Sequence, residues 1–342
     1  MKVLGCSYSY FNGFVRGEEN ISVMLALKIC KLTSLNIKNV VDKIHPNSKT
    51  NLSYIKPKSF PINLDKNIAN LVGHVFGDGH LGHHIHYTNS NKVLIRNVID
   101  LVNKLPVRNL TYNLQEHKGT NIRFSTLVRD ILKCAQAPVG NKIISKIFIP
   151  SWVKNSKDEE IKSAFLRALF DDESCVSSKD RAIMITFSKI IPLESNLDKF
   201  IEDIMVMLDD LGIKRISKRV ERYYQGKKYK TIKKSLNFYG YFNLKSFQEN
   251  IDFSHPRKLL RLEKWIKNVK IFRLSKKDRL NLFIKTLNEK PLLTAKEISN
   301  IVNMHHHATL GYLNKLRNKG LVEKTIYEWP TRWVLPINLD KK

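Results

Sequence analysis

The sequence predicts an α+β protein whose centre is two similar half-domains, each running helix–strand–strand–helix–strand–strand–helix. Three observations predict it. Residues 69–79 (ANLVGHVFGDG) and 164–174 (AFLRALFDDES) are apolar runs at helical spacing that end on acidic residues. Asp78 and Glu173 hold equivalent places 95 positions apart, too long a period for a solenoid. The elements that follow each run also repeat in kind.

After Asp78, the alternating stretch 84–88 reads as a strand with Ile85 and Tyr87 inward and His84, His86 and Thr88 outward. The helix LIRNVIDLVNKL follows, then strands around 107–116 and 120–125 and the helix LVRDILKC. APVGNK (137–142) and IPSW (149–152) punctuate the middle. After Glu173 come strands at 175–178 and 181–188, then the helix LDKFIEDIMVMLDDLG, which Gly212 stops. Strands near 214–223 and 229–239 and helices near 243–250 and 255–267 complete the second half. By strand phase Arg215, Ser217 and Arg219 oppose Ile216 and Val220, and Lys233, Ser235 and Asn237 oppose Leu236 and Phe238.

Two flanks remain. Thr294 and Glu297 form a capping box opening a helix with Ile298, Ile301 and Val302 inward. A second helix with Leu310, Leu313 and Leu316 inward closes at Gly320, and LVEKTIYEWPTRWVL reads as a hairpin. This is a winged-helix pattern with a basic outer face that includes Lys315, Arg317 and Lys319. At the other end, 24–44 reads as a small helical segment and 46–66 as a linker. The resulting boundaries are 1–60, 61–153, 154–267 and 268–342.

The 342 residues carry 59 Lys+Arg against 31 Asp+Glu, a net +28 that points to a polyanionic partner. Ten Lys/Arg and one Glu lie between 214 and 234, among them Arg215, Arg219, Lys227, Lys228, Lys230 and Lys233. That density suits phosphates and guanine edges. No apolar run is long enough for a membrane span, and no signal-peptide order opens the chain, so a membrane or secreted protein is not expected. The four cysteines form no CxxC pair and fit reduced thiols in a cytoplasm, close to the nucleoid if the partner is DNA. His80, His83, His84 and His86 beside Asp78 read as polar groove contacts in preference to a zinc site. His305, His306 and His307 read as a turn before the outer helix.

Gly73 and Gly77 are four apart in the first run, as are Ala164 and Ala168 in the second, a spacing that lets helix backbones approach. If the two helices pack in parallel about a twofold, Asp78 and Glu173 meet at one end. A pair of carboxylates beside phosphate calls for a hard divalent cation, Mg²⁺ first and Mn²⁺ as a substitute.

LVGHVFGDG and LRALFDDES resemble the paired signatures of single-chain LAGLIDADG homing endonucleases, most closely the archaeal and intein-type members. The resemblance extends from about 60 to 265, through APVGNK, IPSWV, LDDLGI and NLKSFQENIDFSHPRKLLRL. It implies an αββαββα fold per half, a saddle astride DNA and a monomer with internal pseudo-twofold symmetry. It also implies metal-binding catalytic acids at Asp78 and Glu173, and Mg²⁺-dependent cutting of both strands across the minor groove of a long site, leaving 3′ overhangs. A lysine near the metals on a late strand of each half is expected from the family, with Lys233 and Arg123 in phase. Ser174 stands where the family has Gly, which is expected to alter that turn, and Asp172 stands in a usually small place. Asp171 and Asp172 are expected to cap or to be solvated. Self-splicing is not implied by Met1-Lys2 and Lys341-Lys342. Two other readings share the same core: a DNA-binding regulator without catalysis, and a maturase holding intron RNA.

Overall fold

The structure is a computed structural model that describes residues 6–16, 23–36, 54–56, 62–82, 85–116, 119–177, 182–226, 228–268, 275–302, 304, 306–325 and 330–336. They divide into two compact units, 1–239 with 243–262, and 240–242 with 263–342.

In the first unit, α1 (Tyr8–Val15), α2 (Val23–Thr33) and β1 (Tyr54–Ile55) precede α3 (Lys66–Phe76). Next come β2 (Gly79–Leu81), β3 (Ile85–Asn89), α4 (Lys92–Asn103), β4 (Val107–Arg108), β5 (Tyr112–Glu116), β6 (Thr120–Phe124) and α5 (Thr126–Cys134). After α6 (Ser151–Lys154) the pattern recurs with α7 (Glu159–Glu173), β7 (Ser174–Ser177), β8 (Ala182–Ile190), α8 (Glu194–Asp210), β9 (Ser217–Gln225), β10 (Lys230–Tyr239), α9 (Tyr241–Asn250) and α10 (Pro256–Asn268). Two four-stranded antiparallel sheets result, ordered β2-β3-β6-β5 and β7-β8-β10-β9, the same local order in each.

Asp65 and Asp158 start α3 and α7 by accepting backbone N–H groups, which satisfies donors no helical carbonyl can reach. The two helices lie in parallel. Lys66 pairs with Glu160 at 2.8 Å, Asn70 Nδ2 donates to Ala164 O at 3.0 Å, and Asp78 N donates to Asp172 Oδ2 at 3.2 Å, a constant offset of 94 residues. A Cβ on Gly73 would lie 2.4 Å from Phe165 O and 2.8 Å from Ala168 Cβ, so only glycine permits this approach. Gly77 faces the Asp172 side chain and not an alanine. Buried Leu71, Val75, Phe76, Phe165, Leu166, Leu169 and Phe170 surround the pair, each contributing roughly 1.5–3 kcal/mol.

The helices cover one face of each sheet. Under the first sheet Leu81, Ile85 and Tyr87 meet Leu71 of α3, Val98 of α4 and Val128 of α5. Under the second, Phe238 packs on Phe170 and Phe247.

Several expectations change. The strand expected over 107–116 is two pieces, and β4 pairs with β1, so the stretch read as linker contributes buried Ile55 to a small ladder. Val220 is 53% exposed because β9 is an edge strand with β10 its single neighbour. Arg215 has φ +55° and lies before β9, so it does not share the strand's phase. Ser174 is extended at φ −92°, a backbone any residue adopts, and its hydroxyl donates to Phe170 O at 2.5 Å, so serine leaves the turn unstrained.

The second unit holds α11 (Lys276–Glu289), β11 (Leu293–Thr294), α12 (Ala295–Ile301), α13 (His306–Arg317), β12 (Glu323–Lys324) and β13 (Arg332–Val334). Phe283, Leu287, Ile298, Val302, Leu313, Leu316, Val322 and Trp333 form its core. The capping box is present, with Thr294 N donating to Glu297 Oε2 at 2.7 Å. Ile301 and Leu310 point outward, at 48% and 36% exposure, while Thr309 is fully buried in place of Leu310. β13 lies between β11 and β12, so the expected hairpin is part of a three-stranded sheet. Among the described residues no helix is long and apolar enough to cross a membrane.

Candidate nucleic-acid interface and acidic centre

Asp78 follows the last turn of α3, and Glu173 is the last residue of α7. Parallel packing brings both to one end of the helix pair. Asp78 is raised to about 7, by burial first, then by the Asp172 and Glu173 carboxylates, against the pull of Lys142 and of Asn89. Glu173 is accessible, yet protein surrounds it closely enough that desolvation raises it too, with Asp172 adding and Lys142 opposing. Each acid therefore feels its neighbours' negative charge, and the cluster favours a proton or a cation.

The Asp172 side chain is buried, not solvated. Its oxygens take Tyr87 OH at 2.7 Å and Asp78 N at 3.2 Å, and Oδ2 lies 3.0 Å from His74 Nδ1. Burial acts to lower the His74 pKa, but the Asp172 carboxylate outweighs it and the imidazole is raised. Asn89 Nδ2 donates to Asp78 Oδ2 at 2.7 Å and its own Oδ1 accepts from Asn91 N, so one amide fixes the Asp78 rotamer. Asp171 caps the entry to α10 by accepting from Ser254 N and His255 N at 3.1 and 2.9 Å; burial raises it to about 6.

The lysines at this centre differ from those expected. Lys142 Nζ donates to Val75 O and Phe76 O at 2.9 Å, to Gly77 O, and to Gly79 O at 3.1 Å. Lys258 Nζ donates to Phe170 O at 2.9 Å and Asp171 O at 2.6 Å. Each ammonium closes the carbonyl end of one helix, where orphan acceptors and the negative end of the dipole concentrate. Burial lowers both lysines, while Glu173 and Asp78 hold Lys142 up and Asp171 and Asp172 hold Lys258 up. Lys233 lies close enough to lower Glu173 weakly and sits over the Tyr224 ring at 5.6 Å. Arg123 is exposed on β6, in register with His86 and Asn113, and is not among the charges that perturb Asp78 or Glu173. The repeat carried a signal for the lysines: in each half the helix after the last strand pair is followed by a proline and then by Lys142 or Lys258.

The open faces of the sheets carry the other candidates. His86 and Thr88 face away from the helices as expected, and the His80 and His86 rings are 5.1 Å apart. His83, His84, Lys227 and His305 lie outside the described residues. Lys228 and Lys230 are exposed at the β9–β10 connection, and Lys315 and Arg317 are exposed on α13. The basic run is partitioned: Lys214 pairs with Asp209, Lys218 with Asp198 and Glu202, and Lys234 with Glu194 and Asp198 on the helix side. Arg219, Arg222 and Lys233 share the open face by register, because a bulge between Lys233 and Lys234 skips Glu221.

Asp78 carries a stability consequence. Its pKa of about 7 in the fold exceeds the ordinary aspartate value of 3.8, so the folded state is penalised progressively as pH rises from about 4 through 7 and fully above. With solvent screening allowed for, the penalty at pH 8 is about 2 kcal/mol. In EDTA, Asp78→Asn is expected to raise the melting temperature by about 4–8 °C at pH 8, the gain vanishing toward pH 4. Thermal melts across that range check it.

Residues 160–252, from α7 into α9, match the family model described as a LAGLIDADG-like domain. Among curated relatives, 285 residues are 24% identical to the tRNA-splicing ligase RtcB of Methanopyrus kandleri, covering 76% of this chain and 27% of that protein. A further 265 residues are 29% identical to the DNA-directed RNA polymerase subunit Rpo1N of Methanocaldococcus jannaschii, covering 66% and 19%. The chain thus spans about a quarter and a fifth of the length of these relatives. Among solved structures, full-length DUF199/WhiA from Thermatoga maritima overlaps 75% of this chain and 92% of its own at 12% identity and a TM-score of 0.37. The N-terminal LAGLIDADG domain of DUF199/WhiA overlaps 61% and 85% at 13% identity and 0.34. At those scores neither overlap bears on function. Residues 160–252, a helix that ends in an acid and runs directly into the second sheet, are thus the part of this chain that is similar to a LAGLIDADG-like domain.

Proposed function

We propose that this chain binds duplex DNA sequence-specifically through the open faces of its two sheets and cuts it in the presence of Mg²⁺. The observation that carries the binding half is the partition of charge: Lys218 and Lys234 are neutralised on the helix side, while Arg219, Arg222 and Lys233 stand on the open face of a +28 chain. The relatives support a self-contained module. A tRNA-splicing ligase and an RNA polymerase subunit are named for different activities, yet each matches this chain over only a fraction of its length. The shared segment then has its own activity, lodged in different hosts.

The observation that carries cutting is the paired acids at the helix ends. Among the described residues no cluster of three or more His, Cys, Asp or Glu could hold a metal, so a closed zinc or calcium cage does not fit. Two carboxylates fit Mg²⁺, which retains waters and shares its remaining positions with phosphate oxygens. Asp78 and Glu173 would hold it, and when bound it would supply charge neutralisation and a route to an activated water. The chain's own residues do the rest. Asn89 orients Asp78, Asp172 fixes the Asp78 backbone from the opposite helix, and Lys142 and Lys258 set cations beside the site where negative charge on the phosphate oxygens would grow.

The regulator reading keeps the binding half without cutting, and the maturase reading replaces the duplex by folded RNA. One experiment sorts them: labelled random duplex DNA competed with structured RNA, followed by Mg²⁺ addition to the bound fraction. Duplex binding and Mg²⁺-dependent nicks, lost in Asp78→Asn and Glu173→Gln, are the expected result. Bound duplex left intact by the unaltered chain would replace the nuclease by the regulator, and preference for RNA would replace both.

A further inference from the structure

The two sheets share a strand order but not a chemistry on their open faces. In the first, cross-strand register puts His80, His86, Arg123 and Asn113 in one row and Thr88, Asn121 and Gln115 in the next. In the second, the equivalent strands β10 and β9 place Lys233 beside Arg222 and Ser235 beside Arg219. Beside Arg123 the first open face thus carries the amides Asn113, Gln115 and Asn121, and beside Asn237 the second carries Arg219, Arg222 and Lys233, although of these only Gln115 and Arg219 hold equivalent places.

Amide and guanidinium groups read different bases. A carboxamide pairs in two places with adenine, accepting from its N6 amine and donating to N7, whereas Arg or Lys donates twice to guanine O6 and N7. One amide oxygen on the first face stands without a partner. Asn121 Oδ1 is buried without a hydrogen-bond partner, an acceptor lacking its donor. It lines a cleft of about 590 Å³ together with Thr88 and Gln115, open toward Asp78. Nothing comparable is needed on the second sheet, where Ser217 and Asn237, the neutral polar pair beside the cations, bond to each other.

We infer that the target duplex is chemically lopsided: adenines fall in the half-site beneath the first sheet and guanines in the half-site beneath the second. This rests on the DNA-binding reading above and assigns Asn113, Gln115 and Asn121 to one half-site and Arg219, Arg222 and Lys233 to the other.

The test is selection of bound duplexes from a randomised library with the full chain in EDTA, repeated with Asn121→Ala and Arg222→Ala. Expected is an enriched site with an adenine-containing half and a guanine-containing half. Asn121→Ala should relax one adenine position by about tenfold to a hundredfold and leave the other half unchanged, and Arg222→Ala should do the reverse. Asn113→Ala and Arg219→Ala, at exposed positions where folding is not at issue, give an independent pair with the same expectation. An enriched site with the same base preference in both halves, or variants that relax both halves alike, would overturn the inference and leave DNA binding standing. No enrichment of any duplex would overturn both.

Discussion

Gly73→Ala is expected to unfold the first unit more readily than any surface change, with a cost of about 3 kcal/mol and a melting temperature lower by about 10 °C. The added Cβ would meet Phe165 O at 2.4 Å and Ala168 Cβ at 2.8 Å. One obstacle is backbone and the other a side chain with no torsion to turn, so relief requires the helices to separate. Separation breaks the Asn70–Ala164 hydrogen bond and pulls Asp78 away from Asp172. Activity should therefore fall even in the fraction that stays folded. Gly140→Ala is the contrast. Nothing lies within 4 Å of its added Cβ, and its cost, about 1 kcal/mol, comes from φ +82° alone. Chemical denaturation of both variants separates close packing from backbone strain.

Lys142→Met is the second large effect. The isosteric stem keeps the packing, but Val75, Phe76, Gly77 and Gly79 lose a shared donor at a buried helix end. Unsatisfied buried carbonyls and loss of the cation facing the dipole cost about 3 kcal/mol. The same change removes the charge that opposes protonation of Asp78 and Glu173. Both acids should titrate higher, so Mg²⁺-dependent cleavage should need a higher pH. Lys142→Arg should restore part of the stability but not the geometry, since a planar fork cannot follow the same carbonyls. Melts and a cleavage-versus-pH profile on the two variants check the two roles separately.

Much of this was legible in the chain. The repeat located α3 and α7, and glycine and alanine at fourfold spacing announced close packing, which Gly73 fulfils. Strand phase placed Ile85, Tyr87, Leu236 and Phe238 inward because period two is robust where one face is buried. Phase held at Val220, which pairs with Lys234 on the helix side and is exposed only because β9 is an edge strand, and failed at Arg215, in a left-handed turn that propensity does not reveal. Ile301 and Leu310 misled because a short helix needs few inward residues, and Thr309 took a place apolarity alone would not assign. The lysines were missed for a different reason. Lys142 and Lys258 reach the centre from segments that follow the sheets, a long-range closure that local pattern does not encode. The fate of Lys218 and Lys234 was hidden likewise, since a run of cations does not say which of them meet α8.

The skipped residue opposite Lys233 and Lys234 has a consequence for how such a surface can change over generations. Arg219 and Arg222 are three apart, and they look the same way only because Glu221 is accommodated outside the ladder. Loss of that one codon would leave Arg219 opposite Ser235 and Arg222 opposite Lys233, now two apart in regular alternation and still facing the same way. A lineage could thereby lose one residue from this edge strand and keep the same cations presented on its surface, so the bulge buffers that face against a single-codon deletion.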